Sequence, residues 1–366
     1  MNTAFPKLGR FGSIAVIAVA GSILLSSCAA NEGGTPAEGG SDLAGTIAGA
    51  GASSQGSAQE TWQAAFQTAN PDVTVDYDPS GSGAGREAFI AGGVSFAGSD
   101  SSLKDEEIEG GFEACVPDTG YVEVPVYISP IAVIFNVEGV DELNLDAATL
   151  AGIFKGTITT WDDAAIAALN EDAKLPSAPI TAVHRADDSG TTKNFADYLN
   201  KVAPQVWDAA PADPFPYTTG EAAQGTSGVV DAVTNGTNTI GYADASKAGD
   251  LGVAKIKVGE EYVSYTPEAA AAVVEESPLV EGRDATDLAI AIDRKTTDPT
   301  HYPLVLVSYI IACQEYTDAE QGPLVKAYVS YLASDEGQAA AAESAGAAPL
   351  AADLSAKVAT ALEAIK

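Results

Sequence analysis

Four short stretches of this chain combine glycine with small hydroxyl side chains, in a spacing suited to holding an anion. They are Gly49-Ala50-Gly51-Ala52-Ser53-Ser54, Ser80-Gly81-Ser82-Gly83-Ala84-Gly85, Ala97-Gly98-Ser99-Asp100 and His184-Arg185-Ala186-Asp187-Asp188-Ser189-Gly190-Thr191-Thr192. Helix starts expose unpaired backbone N–H groups and the positive end of a dipole, so they collect anions. Three of the stretches run into apolar residues at helical spacing. Trp62, Ala65 and Phe66 follow the first, Phe89 and Ile90 the second, and Phe195, Tyr198 and Leu199 the last. Any one turn taken alone reads as an ordinary helix cap. The signal is their occurrence together.

Ser53, Ser54, Ser82, Ser189 and Thr191 would each offer a hydroxyl, with backbone N–H groups from the same turns. Glycines at 81, 83, 85 and 190 let backbone approach a ligand closely. Arg185 supplies one strong positive charge, and Asp187 two residues later is placed to hold its guanidinium. Asp100 is the unusual member. A carboxylate repels an anion unless that anion still carries a proton, as phosphate does near neutral pH and sulfate does not. Asp100 also reads as a turn-capping aspartate.

Ser189 beside Asp187 invites a second reading, a hydrolase acting on phosphate esters. A serine nucleophile needs a positioned base. His184 alternates away from Arg185 along its strand, and His301 lies far along the chain, so both are expected to be structural. Three cysteines and two isolated histidines make no zinc site. No metal or cofactor is expected, and Gly81 to Gly85 lacks the lysine and spacing of a P-loop.

The 366 residues carry 18 Lys and Arg against 51 Asp and Glu, a formal charge of −33. Such a surface excludes nucleic acid and electrostatic binding to anionic lipid as functions. Lys7 and Arg10 precede a short apolar core, Ile14 to Leu25, that ends in Leu25-Ser26-Ser27-Cys28, similar to a bacterial lipobox. Residues 1–27 are therefore expected to be a lipoprotein signal peptide, with Cys28 lipidated as the first mature residue and 28–44 a flexible tether. A plain signal peptide or an uncleaved anchor is the alternative. Cys115 and Cys313 then remain as an even pair in an oxidising compartment, and a disulfide between them is expected.

Strand and helix patterns alternate, which predicts an α/β protein with helix-covered sheets. Tyr121 to Val137 is β-rich but contains Pro125 and Pro130, so it is not expected to form one uninterrupted central strand. With Leu304 to Ala312 it brackets the middle of the chain. If both segments cross over, lobe I comprises 45–129 with 306–366 and lobe II comprises 130–305. The first three anion motifs would then face Ser189's turn across a cleft.

In order and content the motifs resemble those of the phosphate-binding lipoproteins and periplasmic proteins of the phosphate ABC importer, most specifically through Arg185-Ala186-Asp187-Asp188-Ser189-Gly190-Thr191. Ile153-Phe154-Lys155-Gly156, Thr160-Trp161-Asp162-Asp163, Gly228 with Ile240-Gly241-Tyr242, and Pro349-Leu350 extend the match over nearly the whole mature chain. The resemblance implies two hinged α/β lobes with two crossovers, a periplasmic-binding-protein fold, closing on phosphate. It implies phosphate contacts from Ser53, Ser54, Ser82, Asp100, Arg185, Ser189, Gly190 and Thr191. At Ser54 the family commonly has Phe, so the backbone N–H is the expected contact there. It further implies a non-enzymatic, monomeric receptor, lipid-anchored outside the cell membrane, that serves ABC permease subunits. Another tetrahedral oxyanion, such as sulfate or molybdate, is the alternative ligand.

Overall fold

Apolar strands alternate with amphipathic helices through most of this computed structural model, which describes residues 43–366. The signal segment 1–27, Cys28 and the tether as far as residue 42 lie outside the described residues. The first third runs β1 (Gly45–Gly51), α1 (Gly56–Ala69), β2 (Val73–Asp78), α2 (Ser82–Ile90), β3 (Phe96–Ser99), α3 (Asp105–Gly110) and β4 (Tyr121–Asn136). Next come β5 (Asn144–Leu145), α4 (Ala147–Lys155), α5 (Ala164–Leu169), β6 (Thr181–Arg185), α6 (Gly190–Val202), β7 (Glu221–Ala223), α7 (Gly225–Asn235) and β8 (Thr239–Asp244). Short strands β9 (Gly252–Val253), β10 (Lys255–Val258) and β11 (Glu261–Val263) precede α8 (Pro267–Glu275). The chain closes with β12 (Val305–Cys313), α9 (Gln321–Ala333), α10 (Asp335–Ala345) and α11 (Ala352–Leu362).

Among the described residues one large sheet has the order β2-β1-β3-β12-β4-β8-β6-β7, with β9 added beside β4. Parallel pairs (β1 with β2 and β3, β6 with β7 and β8) occupy its two ends. Antiparallel β12 and β4 join them in the middle. Residues 121–130 of β4 pair with β12, and residues 131–136 pair with β8. The strand thus passes from one half-sheet to the other between Pro130 and Ile131.

This corrects the expectation that the two prolines would interrupt the run, because β4 is one strand. Pro125 sits opposite Tyr309, where the β12 register shifts, and Pro130 sits where one ladder ends and the next begins. At both places a missing N–H removes little. β4 is buried from Tyr121 to Phe135, and β12 is buried throughout. Burial on both faces accounts for runs of apolar residues without alternation.

A disulfide joins Cys115 to Cys313 across 198 residues, as expected, with their Cα atoms 5.2 Å apart. Closing so long a loop stabilises the fold by roughly 3–5 kcal/mol in the chain-entropy account. Among the described residues no helix is long and apolar enough to cross a membrane.

Candidate functional site

Each sequence motif sits where a strand of the large sheet gives way to a helix or turn. Ser53 and Ser54 follow β1, Ser82 opens α2, and Asp100 follows β3, all in one half-sheet. Arg185 ends β6 in the other half, and Ser189 caps α6 by accepting the Thr192 N–H at 3.2 Å. The sheet order brings these ends together.

Asp100 lies at their centre and is 4 % exposed. Its Oδ1 accepts the hydroxyls of Ser54 and Ser308, each at 2.6 Å, and its Oδ2 accepts that of Thr191 at 2.9 Å. Its N–H donates to Ser82 Oγ at 3.1 Å, and its carbonyl accepts Asn194 Nδ2 at 2.8 Å. Burial pushes the carboxyl above the ordinary aspartate range, while the three hydroxyls and the charge of Arg185 oppose that rise.

Gly190 packs so tightly here that a Cβ would stand 2.6 Å from Ser82 Oγ and 2.7 Å from Asp100 Cβ. Its neighbour Ser189 donates its N–H to the Asp213 carbonyl at 3.1 Å.

Arg185 is 3 % exposed and forms a two-point pair with Asp187 through Nε, at 2.8 Å, and Nη2. Asp187 also accepts the Gly225 N–H at 2.9 Å. Burial acts to raise the Asp187 carboxyl, but Arg185 and Gly225 hold it below the ordinary range. The guanidinium is therefore fixed and charged, and no described residue accepts from its Nη1. Both N–H groups of Nη1 thus remain for ligand oxygens.

The halves also touch directly around this centre. Ser53 Oγ lies 2.9 Å from Thr226 Oγ1 and accepts the Thr226 N–H at 3.1 Å. Gly83 donates its N–H to the Asp188 carbonyl at 2.9 Å. Gly81, at φ +112°, has no room for a side chain, since a Cβ would stand 2.5 Å from Asp187 Oδ2. The eight sequence-predicted site residues and Asp187 thus come together around these strand ends, Ser53 and Asp187 half-buried and the rest buried. The Ser54 side chain takes part through its bond to Asp100, whereas the family's usual Phe had made the backbone N–H the expected contact.

Sequence reasoning missed several members. Ser308 is the lone aliphatic hydroxyl in the apolar run Val305–Cys313, which is the signal that could have found it. Arg86, 1 % exposed, bonds Glu107, Ser99 and Asp213. Gln55, Asn194, Asp213 and Thr226 gave no local signal, because distant segments supply their partners. His184 stacks on Phe215 with ring centroids 3.9 Å apart, and its Nδ1 lies 2.9 Å from the Arg185 carbonyl. No histidine bonds Ser189 among the described residues.

Two α/β halves joined by paired central strands, with polar strand ends meeting between them, define the class of bilobal solute-binding proteins. Residues 36–336 match the PBP superfamily domain. Phosphate-binding protein PstS 3 of Mycobacterium leprae is 34% identical over 337 residues, covering 88% of this chain and 90% of its own. Phosphate-binding protein PstS 2 of Mycobacterium tuberculosis is 31% identical over 371 residues, covering 98% of this chain and 100% of its own. The structure of PfluDING, a high affinity periplasmic phosphate-binding protein bound with phosphate, is similar at a TM-score of 0.70. It is 25% identical and covers 86% of this chain and 93% of its own. The chain belongs to the PBP superfamily and, within it, to the PstS phosphate-binding proteins.

Proposed function

We propose that this chain is the phosphate receptor of an ABC importer, a monomer held outside the cell membrane by lipid on Cys28. It captures inorganic phosphate between lobe I, residues 45–129 and 306–366, and lobe II, residues 130–305, and delivers it to the permease. Ser53, Ser54, Ser82, Asp100, Arg185, Ser189, Gly190 and Thr191 contact the ion. The single observation that carries this reading is a buried carboxylate, Asp100, set among hydroxyl donors and facing the charge of Arg185. Donors bind the bare oxygens of a tetrahedral anion, and the carboxylate accepts the proton that phosphate retains. Sulfate would set an oxygen lone pair against Asp100 and leave it unmatched.

Binding without turnover is supported by the surroundings of Ser189. Its hydroxyl caps α6, and His184 is committed to the Phe215 stack and the Arg185 carbonyl. The anchor rests on the lipobox-like Leu25-Ser26-Ser27-Cys28 and the glycine-rich segment after it.

Calorimetric titration of the purified mature domain tests the reading. Phosphate is expected to bind tightly, and sulfate at about 100-fold excess should fail to displace it. Equal affinity for the two anions, or phosphate-ester turnover abolished by Ser189→Ala, would contradict it.

A further inference from the structure

A chain of buried hydrogen bonds ends on Asp100 Oδ1. Tyr328 Oη donates to Gln59 Oε1 at 2.7 Å, and Gln59 Nε2 donates to Gln55 Oε1 at 2.8 Å. Gln55 Nε2 donates to Ser308 Oγ at 2.7 Å, and Ser308 Oγ donates to Asp100 Oδ1 at 2.6 Å. Tyr328, Gln55 and Ser308 are 0 % exposed and Gln59 is 1 % exposed. The second N–H of the Gln55 amide can reach the Tyr309 carbonyl at 3.2 Å, which fixes which end of the amide faces Ser308.

Every link therefore points one way. Ser308 Oγ receives an N–H from Gln55, so its own proton goes to Asp100. A phenol O–H at the far end can only start such a chain with a donor when the amide oxygen of Gln59 faces it. Aligned links polarise one another in a low-dielectric interior. The β12 register shift falls between Ser308 and Tyr309, a local irregularity of the kind that re-aims side chains beside functional sites.

We propose that this buried chain makes Ser308 a dedicated positioning residue. Its obligatory hydrogen bond holds Asp100 as an acceptor and so selects a tetrahedral anion that carries a proton. The inference rests on the receptor reading above and adds the device that sets its selectivity. Ser54 and Thr191 also donate to Asp100, but Ser54 in the turn after β1 and Thr191 in the first turn of α6 are assigned to ligand contact and can exchange Asp100 for a bound ion. Ser308 lies on a central strand with its other lone-pair partner fixed, so its bond survives ligand entry.

The consequence is read by pH. The other ionisable groups acting on Asp100 are Arg185 from β6, Tyr77 from β2 and Asp244 from β8. Lys193 and Asp197 on α6, with Arg294, line a cavity of about 160 Å³ that Asp100 also borders. None of these changes in a Ser308 variant. Losing the Ser308 bond favours protonation of Asp100, and a protonated Asp100 donates to an anion instead of rejecting it. Sulfate is the suitable probe, because its own charge is constant across the range tested.

Sulfate and phosphate affinities of the mature domain would be measured from pH 4.5 to pH 8 for the wild type, Ser308→Ala, Ser308→Thr and Gln55→Glu. The pH below which sulfate begins to bind should rise by about one unit in Ser308→Ala, equivalent to a gain of about tenfold at a fixed acidic pH. Ser308→Thr keeps the hydroxyl and should restore the wild-type profile. Gln55→Glu presents an acceptor to Ser308 Oγ, competes for its proton, and should move the profile in the same direction as Ser308→Ala. If Ser308→Ala does not fold, the Gln55→Glu profile decides. A variant that binds phosphate with an unchanged sulfate profile would overturn the role of Ser308 while leaving the receptor reading intact. A wild type that fails to bind phosphate would instead remove the receptor reading.

Discussion

Arg86 Nη2 lies 2.7 Å from Asp213 Oδ2, an ion pair whose two side chains are 2 % and 3 % exposed. It joins α2, which begins at Ser82, to the loop whose Asp213 carbonyl accepts the Ser189 N–H. Asp213 Oδ1 accepts the Ser101 hydroxyl at 2.6 Å, one residue beyond Asp100. The pair thus ties the two sets of ligand-facing turns together across the half-sheets.

Asp213→Asn should weaken phosphate binding by about 10- to 100-fold, because a buried guanidinium then loses one of its two charged partners and keeps only Glu107. Burial acts to raise the Asp213 carboxyl, but Arg86 and Ser101 hold it below the ordinary range. Its contribution is therefore fully present above the unfolded aspartate value of about 3.9 and is lost as pH falls through the depressed folded value. Calorimetry should show a gap between wild type and variant that is constant from about pH 7 to pH 5 and closes only in stronger acid. A variant indistinguishable from wild type at neutral pH would refute the coupling.

Gly190 should tolerate no side chain. A Cβ there would stand 2.6 Å from Ser82 Oγ and 2.7 Å from Asp100 Cβ, both in the opposite half-sheet. Gly190→Ala should therefore hold the halves apart, lowering phosphate affinity at least tenfold, or about 1.4 kcal/mol. Thermal stability of the ligand-free protein should change little, since alanine suits a helix better than glycine. Small-angle scattering should find the variant unable to compact on adding phosphate. Wild-type affinity in Gly190→Ala would contradict the close approach.

Asp244, at the end of β8, is fully buried and its carboxyl is pushed up to about 6, chiefly by burial. Tyr127 Oη, on β4, donates to it at 3.1 Å near the crossover between half-sheets. With a folded value above the unfolded one, the unfolded chain releases its proton first. This group therefore costs stability as pH rises from about 4 to about 7. Asp244→Asn should stabilise the protein at pH 7.5 by roughly 1–3 kcal/mol, an advantage that vanishes near pH 4. Denaturant midpoints at the two pH values provide the check. An Asn variant less stable at both would show that the charge is compensated.

The ligand-facing turns were legible because each is local. A glycine-rich turn, a hydroxyl and the helix that follows lie within one short window, as in Ser189-Gly190-Thr191. The order of alternating elements was legible for the same reason, and it sufficed to divide the motifs between two half-sheets. Pro125 and Pro130 misled, because their tolerance depends on which partner strand lies opposite, and their partners Tyr309 and Val305 on β12 arrive about 180 residues later. Ser308, Gln55, Arg86 and Asp213 were hidden for the same physical cause. A buried polar residue is defined by its partner, and theirs are supplied by folding and not by neighbours in the chain. The Ser54 hydroxyl was read as a ligand donor, but nothing local announces that it will meet Asp100.

A crystal structure of the mature domain with phosphate tests the central claim most directly. One phosphate oxygen is expected within hydrogen-bond distance of an Asp100 carboxylate oxygen, and another at Arg185 Nη1. Ser53, Ser82, Ser189 and Thr191 should surround the rest. Phosphate seated elsewhere, such as beside Lys193 in the cavity behind Asp100, with these turns making no contact to it, would contradict the account.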